Sequence, residues 1–413
     1  MSKPLEGIRV LDLTTFVAAP VCARMLGDLG AEVIKIERPS GDAWRETSRN
    51  YNTAHFGDHM NPVFDIYNSG KKLIALDLKS KEGKEIFWKL LDQADVFVTN
   101  NRPEALKRLG ISYEDIKDKY PSLIYALILG YGETGPEADV PGFDVTAFWA
   151  RGGFLRDMAL TDNGYQPLMP PSGAGDTVTG TTLCAEVCAA LVRRFRTGKG
   201  DFVRSCLYQN GIFTFGTMQL ATQLEGGRVY PRARTAGGSA GGVTGTYCCS
   251  DDEWVFLSNG GSSAFLPRIF GMIDREDLLN EPRFMDKELS VLPENVLAVY
   301  QLLCDEFKKR PCAEWLERAR KYDVPVVRMS HFKDSATDEQ AIANGFVEKV
   351  VYENGDSIMM PTSPFMMESV GKIETKIAPR VGGDTEEVLL SLGYTQAEID
   401  AMAQSGAVKV YKK

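Results

Sequence analysis

One carboxylate stands in the segment PPSGAGDTVTG, which begins at Pro170, and its setting could support chemistry. Asp176 follows a Pro- and Gly-rich stretch and precedes a long series of small and apolar residues that predicts a helix. A carboxylate in the first turn of a helix is stabilised as the anion by the helix dipole and by free backbone N–H groups. An anionic carboxylate can attack an acyl group and form a covalent intermediate. Two interpretations follow: Asp176 is only a helix N-cap, or it is a nucleophile.

Small residues lie on both sides of Asp176. We expect Gly173, Gly175 and Gly180 to leave space around the carboxyl group, so that it can be approached from several directions. The helix continues with more small residues, which would let it pack closely on its neighbours, as any buried helix would; these are Cys184, Ala185, Cys188 and Ala189.

Other patterns that carry chemistry are weak or missing from the sequence. Three histidines (His55, His59 and His331) and eight cysteines without a CxxC spacing give no zinc-like ligand set, so we expect reduced thiols and no metal. The first strand is followed by TTFVAAP, whose lack of glycine argues against NAD or FAD bound in the usual way. Arg38, after the second strand, either holds a phosphate of a nucleotide bound in another way or is a surface charge.

Composition sets further limits. The chain has 413 residues, is 44% hydrophobic, and carries a formal net charge of −9 with a sequence pI of about 5.2. An acidic balance of this kind argues against a nucleic-acid partner, because phosphate contacts need a basic face. The N-terminal residues lack a signal-peptide pattern, and no apolar stretch reaches the roughly 18 residues that a membrane helix needs. We therefore expect a cytoplasmic protein with no membrane partner.

Strands and helices alternate through the first half of the chain. IRVLDL, PVCARMLGDLG and AEVIKIE give strand, helix and strand in fewer than forty residues, which predicts a βαβ unit and a parallel sheet. KKLIALDL, DVFVTN and LIYALILGY continue the pattern with helices between them. The prediction is an α/β fold, with a doubly wound parallel sheet in a large Rossmann-like domain over residues 1–224.

The remaining residues predict a smaller α+β domain and a return to the first. The smaller domain is expected over residues 225–325; a glycine-rich loop begins it, and a hairpin turning at residues 250–253 follows. Residues 326–413 are expected to form a return linker, a hairpin with Asn354-Gly355 in its turn, and C-terminal helices that pack on the large domain. A Thr-x-x-Glu capping box at Thr395 predicts the start of the last helix.

Long collinear segments resemble the class III CoA-transferases, the family of formyl-CoA transferase and carnitine CoA-transferase. The resemblance covers nearly the whole chain and is carried by LEGIRVLDLTTFVAAPVCARMLGDLGAEVIKIERPSGDAWR, GYGETGPEADVPGFD, GAGDTVTG and RTGKGDFVRSCL. FDIYNSGKKLIALDLKS and PGFDVTAFWARGG look most like the branch that acts on 2-hydroxy acids in amino-acid fermentation, such as phenyllactate and 2-hydroxyisocaproate. The resemblance implies an interlocked homodimer, with coenzyme A as a substrate and no other cofactor.

The resemblance also implies roles for individual residues. Asp176 would be the nucleophile, working through an anhydride and an aspartyl-CoA thioester, and apolar Val17 stands where formyl-CoA transferase has Gln, which suggests a less polar acyl group. Leu73 and Ile74 would flank the adenine unless they are plain strand core, and Gly237, Gly238, Gly241 and Gly242 would form a flap over the site or an interdomain linker. The residues implied to contact CoA are Val17, Ala18, Arg38, Leu73, Ile74, Asn100, Arg102, Arg108 and Phe143.

Two alternatives keep a similar fold or ligand but change the activity. α-Methylacyl-CoA racemases resemble this chain and use a His in a Gly-His-Asp segment, where this sequence has PGFD with Phe143. Proton transfer at Cα by two bases needs two such groups, so Phe143 argues against racemisation. A hydrolase-like variant on the same fold belongs to this first alternative, and a requirement for a carboxylate acceptor would separate transfer from hydrolysis. The second alternative is a non-catalytic CoA-binding or regulatory protein, which would bind CoA without forming an acyl-enzyme.

Overall fold

The computed structural model describes residues 3–47, 60–159, 167–225, 243–258 and 265–412. The chain divides into two compact units, one comprising residues 1–156, 169–228 and 336–413, the other residues 157–168 and 229–335. The strands are β1 (Arg9–Leu13), β2 (Glu32–Glu37), β3 (Lys72–Leu76), β4 (Val96–Thr99), β5 (Ile124–Leu129), β6 (Asp201–Cys206), β7 (Gly245–Cys248), β8 (Trp254–Leu257), β9 (Val326–Arg328), β10 (Val347–Val351), β11 (Ser357–Pro361) and β12 (Val408–Lys409).

Most helices belong to the first unit. The helices are α1 (Ala18–Asp28), α2 (Trp44–Thr47), α3 (Pro62–Asn68), α4 (Lys81–Leu91), α5 (Pro103–Leu109), α6 (Tyr113–Ile116), α7 (Phe154–Asp157), α8 (Ala174–Thr197), α9 (Leu207–Thr214), α10 (Gly216–Gln223), α11 (Leu266–Met272), α12 (Pro282–Met285), α13 (Pro293–Phe307), α14 (Cys312–Tyr322), α15 (Glu339–Ala343), α16 (Thr385–Ser391) and α17 (Gln396–Ser405). A π-helix spans Asp144–Ala150. Among the helices so described, none is both long enough and apolar enough to cross a membrane.

The first unit is built on a seven-stranded sheet in the order β12-β3-β2-β1-β4-β5-β6. Its first six strands in sequence are parallel and follow the order 3-2-1-4-5-6 of a doubly wound dinucleotide-type fold, so the predicted fold class is confirmed. Helices cover both faces, which explains why β5 (IYALIL) is buried along its whole length.

The C-terminal residues close one edge of this sheet, a feature that the sequence did not predict. Strand β12 pairs antiparallel with β3. The side chains of Asp384 and Thr385 accept hydrogen bonds from the backbone N–H groups of Leu73 and Ala75, at 2.7 and 3.0 Å. The edge of β3 is therefore covered by residues more than three hundred positions later in the sequence.

Helices α1 and α8 pack against each other on one face of the sheet, with apolar residues of both in one core. Gly180 of α8 lies so close to α1 that an added Cβ would overlap the carbonyl oxygen of Ala18. The expectation that Gly180 leaves open space near Asp176 is wrong, because the missing side chain is what lets the two helices approach.

The second unit contains a three-stranded antiparallel sheet in the order β7-β8-β9 and the helices α11 to α14. Its core includes the fully buried rings of Tyr247, Phe307 and Trp315. The predicted hairpin is present, with residues 249–253 between β7 and β8. Strand β9 lies beyond the expected boundary at residue 325, because it pairs with β8 and belongs to this sheet.

Two local predictions for the C-terminal region are also confirmed. Strands β10 and β11 form an antiparallel hairpin, whose turn contains Gly355 with a φ of 89°. Thr395 caps α17 in a capping box with Glu398, as the Thr-x-x-Glu pattern predicts.

Candidate active site

Asp176 is the third residue of α8 and does not cap it. The N-cap position is occupied by Gly173, whose φ of 80° is in the left-handed region that favours glycine. The carboxylate of Asp176 receives no hydrogen bond from the described residues, so the helix N-cap interpretation is wrong. The side chain lies in the first turn of α8, and the described contacts give it no structural role.

A second carboxylate anchors this helix end. Asp144, the first residue of the π-helix, is buried, and its two oxygens accept hydrogen bonds from the backbone N–H groups of Gly173 (3.0 Å) and Asp176 (2.9 Å). The N–H of Gly175 points to the same carboxylate. Asp144 thus caps α8 from another segment, 32 residues earlier in the chain.

This capping changes the electrostatics that the sequence led us to expect. Because the free N–H groups at the start of α8 are directed at Asp144, they do not stabilise the anion of Asp176. Burial of the Asp176 carboxyl and the nearby charge of Asp144 instead raise its pKa to about 7. The prediction that the helix end keeps Asp176 firmly ionised is therefore wrong, and the group is poised close to neutral pH.

Gly175 also has a different task from the expected one. An added Cβ at this position would overlap the ring of Phe148 and the carboxylate of Asp144. The residue therefore permits close approach of the π-helix to the start of α8, and it does not leave open space. Close approach is what brings Asp144 within hydrogen-bond distance of the helix end.

The turn between β1 and α1 lies beside this helix end, where Val17 and the hydroxyl of Tyr67 are neighbours of Gly173. Its shape is held from two sides. The side chain of Asn100, after β4, accepts a hydrogen bond from the N–H of Thr15 (3.0 Å) and donates one to its carbonyl oxygen (2.8 Å). Asp42 accepts a hydrogen bond from the N–H of Phe16 (3.3 Å), whose φ is 63°. Since β1 and β4 are the strands where the sheet order reverses, this turn forms part of the crevice in which doubly wound folds bind ligands.

Two buried ion pairs stabilise the residues that contact the β1–α1 turn. Lys35 pairs with Asp42 at 3.0 Å and Lys71 with Asp12 at 2.8 Å, and all four side chains are nearly inaccessible. Burial alone would lower the pKa of Lys35 and raise that of Asp12, but the opposite charges around them raise the first and lower the second. Burial lowers the pKa of Lys71 to about 8, which leaves it charged at neutral pH. The pairs remain ionised and fix the position of Asp42.

Four aromatic side chains form a continuous series from the π-helix to α3. Ring centroids are 5.7 Å apart between Phe143 and Phe16, 6.2 Å between Phe16 and Trp44, and 6.5 Å between Trp44 and Tyr67. Trp44 is buried, whereas Phe143 is 50% exposed. The candidate active site therefore combines the carboxyl group of Asp176 with an apolar aromatic surface.

The residues implied to contact CoA fall into three groups. Val17 and Ala18 are buried in the turn and the start of α1, and Asn100 is bonded to that turn. Leu73 and Ile74 are fully buried in the cores on opposite faces of the sheet, which favours the plain strand-core alternative for their side chains. The exposed members follow β2, β4 or β5 in the sequence; they are Arg38, Arg102, Arg108 and Phe143.

The proposed flap glycines Gly237, Gly238, Gly241 and Gly242 lie outside the described residues. No group of three or more His, Cys, Asp or Glu within the described ranges is arranged to hold a metal ion. Sequence reasoning missed two site residues, Asp144 and Phe16. Both lie in segments that carried the family resemblance, but their roles arise from contacts between distant segments.

Comparison with known proteins gives consistent results. A model of CoA-transferase family III matches residues 5–385. The chain is 38% identical over 405 residues to (R)-2-hydroxy-4-methylpentanoate CoA-transferase of Clostridioides difficile, covering 98% of this chain and 99% of that protein. It is 35% identical over 409 residues to cinnamoyl-CoA:phenyllactate CoA-transferase of Clostridium sporogenes, covering 99% and 98%.

Known crystal structures show the same architecture. A mutant of Rv3272 from Mycobacterium tuberculosis superimposes with a TM-score of 0.80 at 26% identity, covering 94% of this chain and 99% of that one. A CaiB/BaiF family protein from Brucella suis gives a TM-score of 0.79 at 25% identity, covering 95% and 100%.

Proposed function

The chain belongs to CoA-transferase family III, and we propose that it transfers coenzyme A to a 2-hydroxy acid with an apolar side chain, using Asp176 as the acyl carrier. The observation that carries the proposal is the carboxylate of Asp176, which receives no hydrogen bond from the described residues and stands at a helix end that a second carboxylate, Asp144, holds. Its pKa of about 7 makes it a stronger nucleophile than an ordinary carboxylate, while a useful fraction is still ionised at neutral pH.

The reaction begins when an oxygen of ionised Asp176 attacks the thioester carbonyl of the donor. The C–S bond breaks, CoA leaves as the thiolate, and a mixed anhydride joins the donor acyl group to Asp176. The thiolate then attacks the aspartyl carbonyl, which releases the donor acid and leaves an aspartyl-CoA thioester. This covalent relay divides one difficult exchange into easier steps.

The second half reverses the first with a different acid. The carboxylate of the acceptor attacks the aspartyl thioester, which forms a new anhydride and frees the CoA thiolate. The thiolate attacks the acceptor carbonyl, giving the new acyl-CoA and restoring the Asp176 carboxylate. No proton or electron is gained or lost overall.

The proposed acceptor class follows from the relatives and from the site. The two relatives described above are named for 2-hydroxy-4-methylpentanoate and phenyllactate, which are 2-hydroxy acids with a branched and an aromatic side chain. The aromatic series that begins at Phe143 offers an apolar surface close to Asp144 and Asp176. Such acids would link the enzyme to amino-acid fermentation. We expect dicarboxylates such as oxalate or succinate to be poor acceptors.

CoA is proposed to lie along the carboxyl ends of β1, β2 and β4. Arg38 and Arg102 are exposed there and can meet phosphate groups, which an acidic protein must bind through a local cluster of cations. The N–H groups of the β1–α1 turn lie at the same edge of the sheet. Asn100 serves this site by shaping the turn, since its side chain is bonded to Thr15.

A second copy of the chain is proposed to complete the assembly as an interlocked homodimer. Apolar side chains are exposed along one stretch of the first unit, from Val192 and Phe195 of α8 to Phe213 of α9, Leu220 of α10 and Leu224. Large apolar side chains exposed in this way are ones that an interface would cover.

The test is to trap the acyl-enzyme. Wild-type protein incubated with 2-hydroxy-4-methylpentanoyl-CoA and hydroxylamine should yield a hydroxamate at Asp176, located by mass spectrometry. Asp176→Ala should lose transfer by many orders of magnitude while CoA binding, measured by calorimetry, stays nearly intact. The matched control is Asp118→Ala, an exposed acid of the same unit, which should keep full activity.

Two outcomes would contradict the proposal. A folded Asp176→Ala variant with a tenth of the wild-type activity would exclude the residue as acyl carrier. Incorporation of deuterium at Cα of a 2-substituted acyl-CoA in heavy water, without any transfer, would indicate the racemase alternative. Phe143 in place of a basic group makes us expect no such exchange.

A further inference from the structure

Phe16 adopts a backbone conformation that its side chain disfavours. Four non-glycine residues among those described have a positive φ, and three of them are aspartates, which tolerate it better: Asp252, Asp274 and Asp323. Phe16, with a φ of 63°, is the bulky exception. Glycine would adopt this turn without strain. An aromatic ring kept at a strained position points to a use for the ring.

The conformation is imposed by the surroundings and not by the ring. Thr15 is bonded through both its backbone groups to Asn100. The N–H of Phe16 is directed at Asp42, which the buried ion pair with Lys35 holds in place. With the backbone fixed on both sides, the turn would keep its shape if the ring were removed. The effect of the ring can therefore be tested separately from the effect of the turn.

The ring of Phe16 contacts the segment that holds the start of α8. It meets the ring of Phe143 edge to face, with a centroid distance of 5.7 Å and an interplanar angle of 78°. Phe143 immediately precedes Asp144, whose carboxylate holds the N–H of Asp176 at 2.9 Å. Half of the surface of Phe143 remains exposed. The pair thus presents an apolar surface beside the carboxylate that would carry the acyl group.

We propose that Phe16 and Phe143 contact the side chain of the acyl group on Asp176 and so select branched or aromatic acids over small ones. This inference rests on the proposed function, because it needs an acyl group at Asp176. The physical basis is that two rings in edge-to-face contact can bury the apolar surface of a bulky acyl side chain. An acyl group with only a hydrogen atom at that position has little apolar surface to bury, so its binding is stabilised much less. The resulting discrimination appears in kcat/KM for different acyl groups.

The experiment compares two thioesters, 2-hydroxy-4-methylpentanoyl-CoA and glycolyl-CoA, by the rate at which each, as donor, leads to the hydroxamate at Asp176. In wild-type protein the branched thioester should be strongly preferred. Phe16→Gly, which suits the turn, should lower this preference about 10- to 100-fold, mainly by slowing the branched substrate. Phe16→Leu should keep the preference within about threefold, and Phe143→Ala should lower it as Phe16→Gly does.

Controls separate specificity from folding. Phe346→Ala removes a ring of similar exposure (48%) just before β10 and should leave the preference unchanged. Phe16→Asn, which also tolerates a positive φ, is the second variant if Phe16→Gly folds poorly. An equal loss for both thioesters, or an unchanged preference in the folded Phe16→Gly or Phe16→Asn variant, would overturn the inference. Wild-type protein that forms no hydroxamate with either thioester would instead overturn the proposed function.

Discussion

At the scale of the residue, the proposed role of Asp176 needs an ionised carboxyl group, whereas its surroundings favour the protonated one. Attack on a thioester needs the anion, yet burial and the neighbouring Asp144 favour the protonated form and raise the pKa to about 7. A carboxylate that holds its proton more tightly is also a stronger nucleophile once ionised. Asp144 thus holds the helix end and raises the pKa of Asp176, and under the proposed mechanism it would tune the reactivity of that carboxylate.

The first prediction concerns the pH dependence of acylation. The rate of hydroxamate trapping at Asp176 should rise about tenfold per pH unit below about pH 7 and become constant above it, because only the anion attacks. Asp144→Asn removes a negative charge, so the pKa of Asp176 should fall. The rising part of the pH–rate profile should therefore move to lower pH. Single-turnover trapping across the pH range measures both. If the trapping rate of Asp144→Asn rises over the same pH range as that of the wild type, the charge of Asp144 does not act on Asp176.

The second prediction concerns stability. The folded-state pKa of Asp176 is raised above its ordinary value, so folding favours the proton and ionisation destabilises the folded protein as pH rises from about 4 to 7. Asp176→Asn should therefore stabilise the protein by about 1–3 kcal/mol at pH 8 and much less at pH 4. Chemical denaturation at both pH values provides the measurement. Equal effects at the two pH values would exclude the linkage.

At the scale of the element, the contact between α1 and α8 positions the helix end that carries Asp176. The third prediction is that Gly180→Ala destabilises the protein by about 1–3 kcal/mol or more, because the Cβ meets the rigid backbone at Ala18. It should also reduce activity, since Asp176 lies one helical turn away. Gly216→Ala is the control, because that glycine has open space around it and should be neutral or slightly stabilising. Thermal melting and activity assays on Gly180→Ala and Gly216→Ala measure both effects.

Patterns that depend on neighbours in the sequence were predicted well. The βαβ alternation, the two hairpins and the capping box at Thr395 each follow from periodicity or turn chemistry within a few residues. The position of Asp176 in the first turn of a helix was likewise visible in GAGDTVTG. Local chemistry alone decides these features, so a single sequence carries enough information for them.

Features that depend on distant residues were not predicted. The start of α8 shows no side-chain cap of its own, and nothing local indicates that Asp144 supplies one. Gly175 and Gly180 appeared to provide space, but the space is filled by neighbours that only the fold brings there. The buried charge of Lys35 contradicts the usual pattern of a parallel strand, and this contradiction was the available signal of a polar network.

At the scale of the whole molecule, the exposed apolar residues of α8 to α10 lead to the fourth prediction. Purified protein should sediment as a dimer at low micromolar concentration and should not dissociate on dilution. Phe213 is 86% exposed in the single chain, so Phe213→Glu should place a charge in the interface and yield monomer or insoluble protein. Tyr411→Glu, at an exposed C-terminal position, is the control. A wild-type monomer would contradict the interlocked assembly.

The edge of β3 in the large sheet is completed by residues that are synthesised more than three hundred positions after it. Until Asp384, Thr385 and β12 are synthesised, the edge of β3 presents unpaired backbone groups, although the second unit can already fold from a nearly continuous segment. An open edge of this kind invites pairing with other chains. Nascent protein should therefore depend on protection during its synthesis. A chain ending at residue 383 should aggregate in cell-free translation unless chaperones are supplied, whereas a chain extending to residue 413 should remain soluble after release.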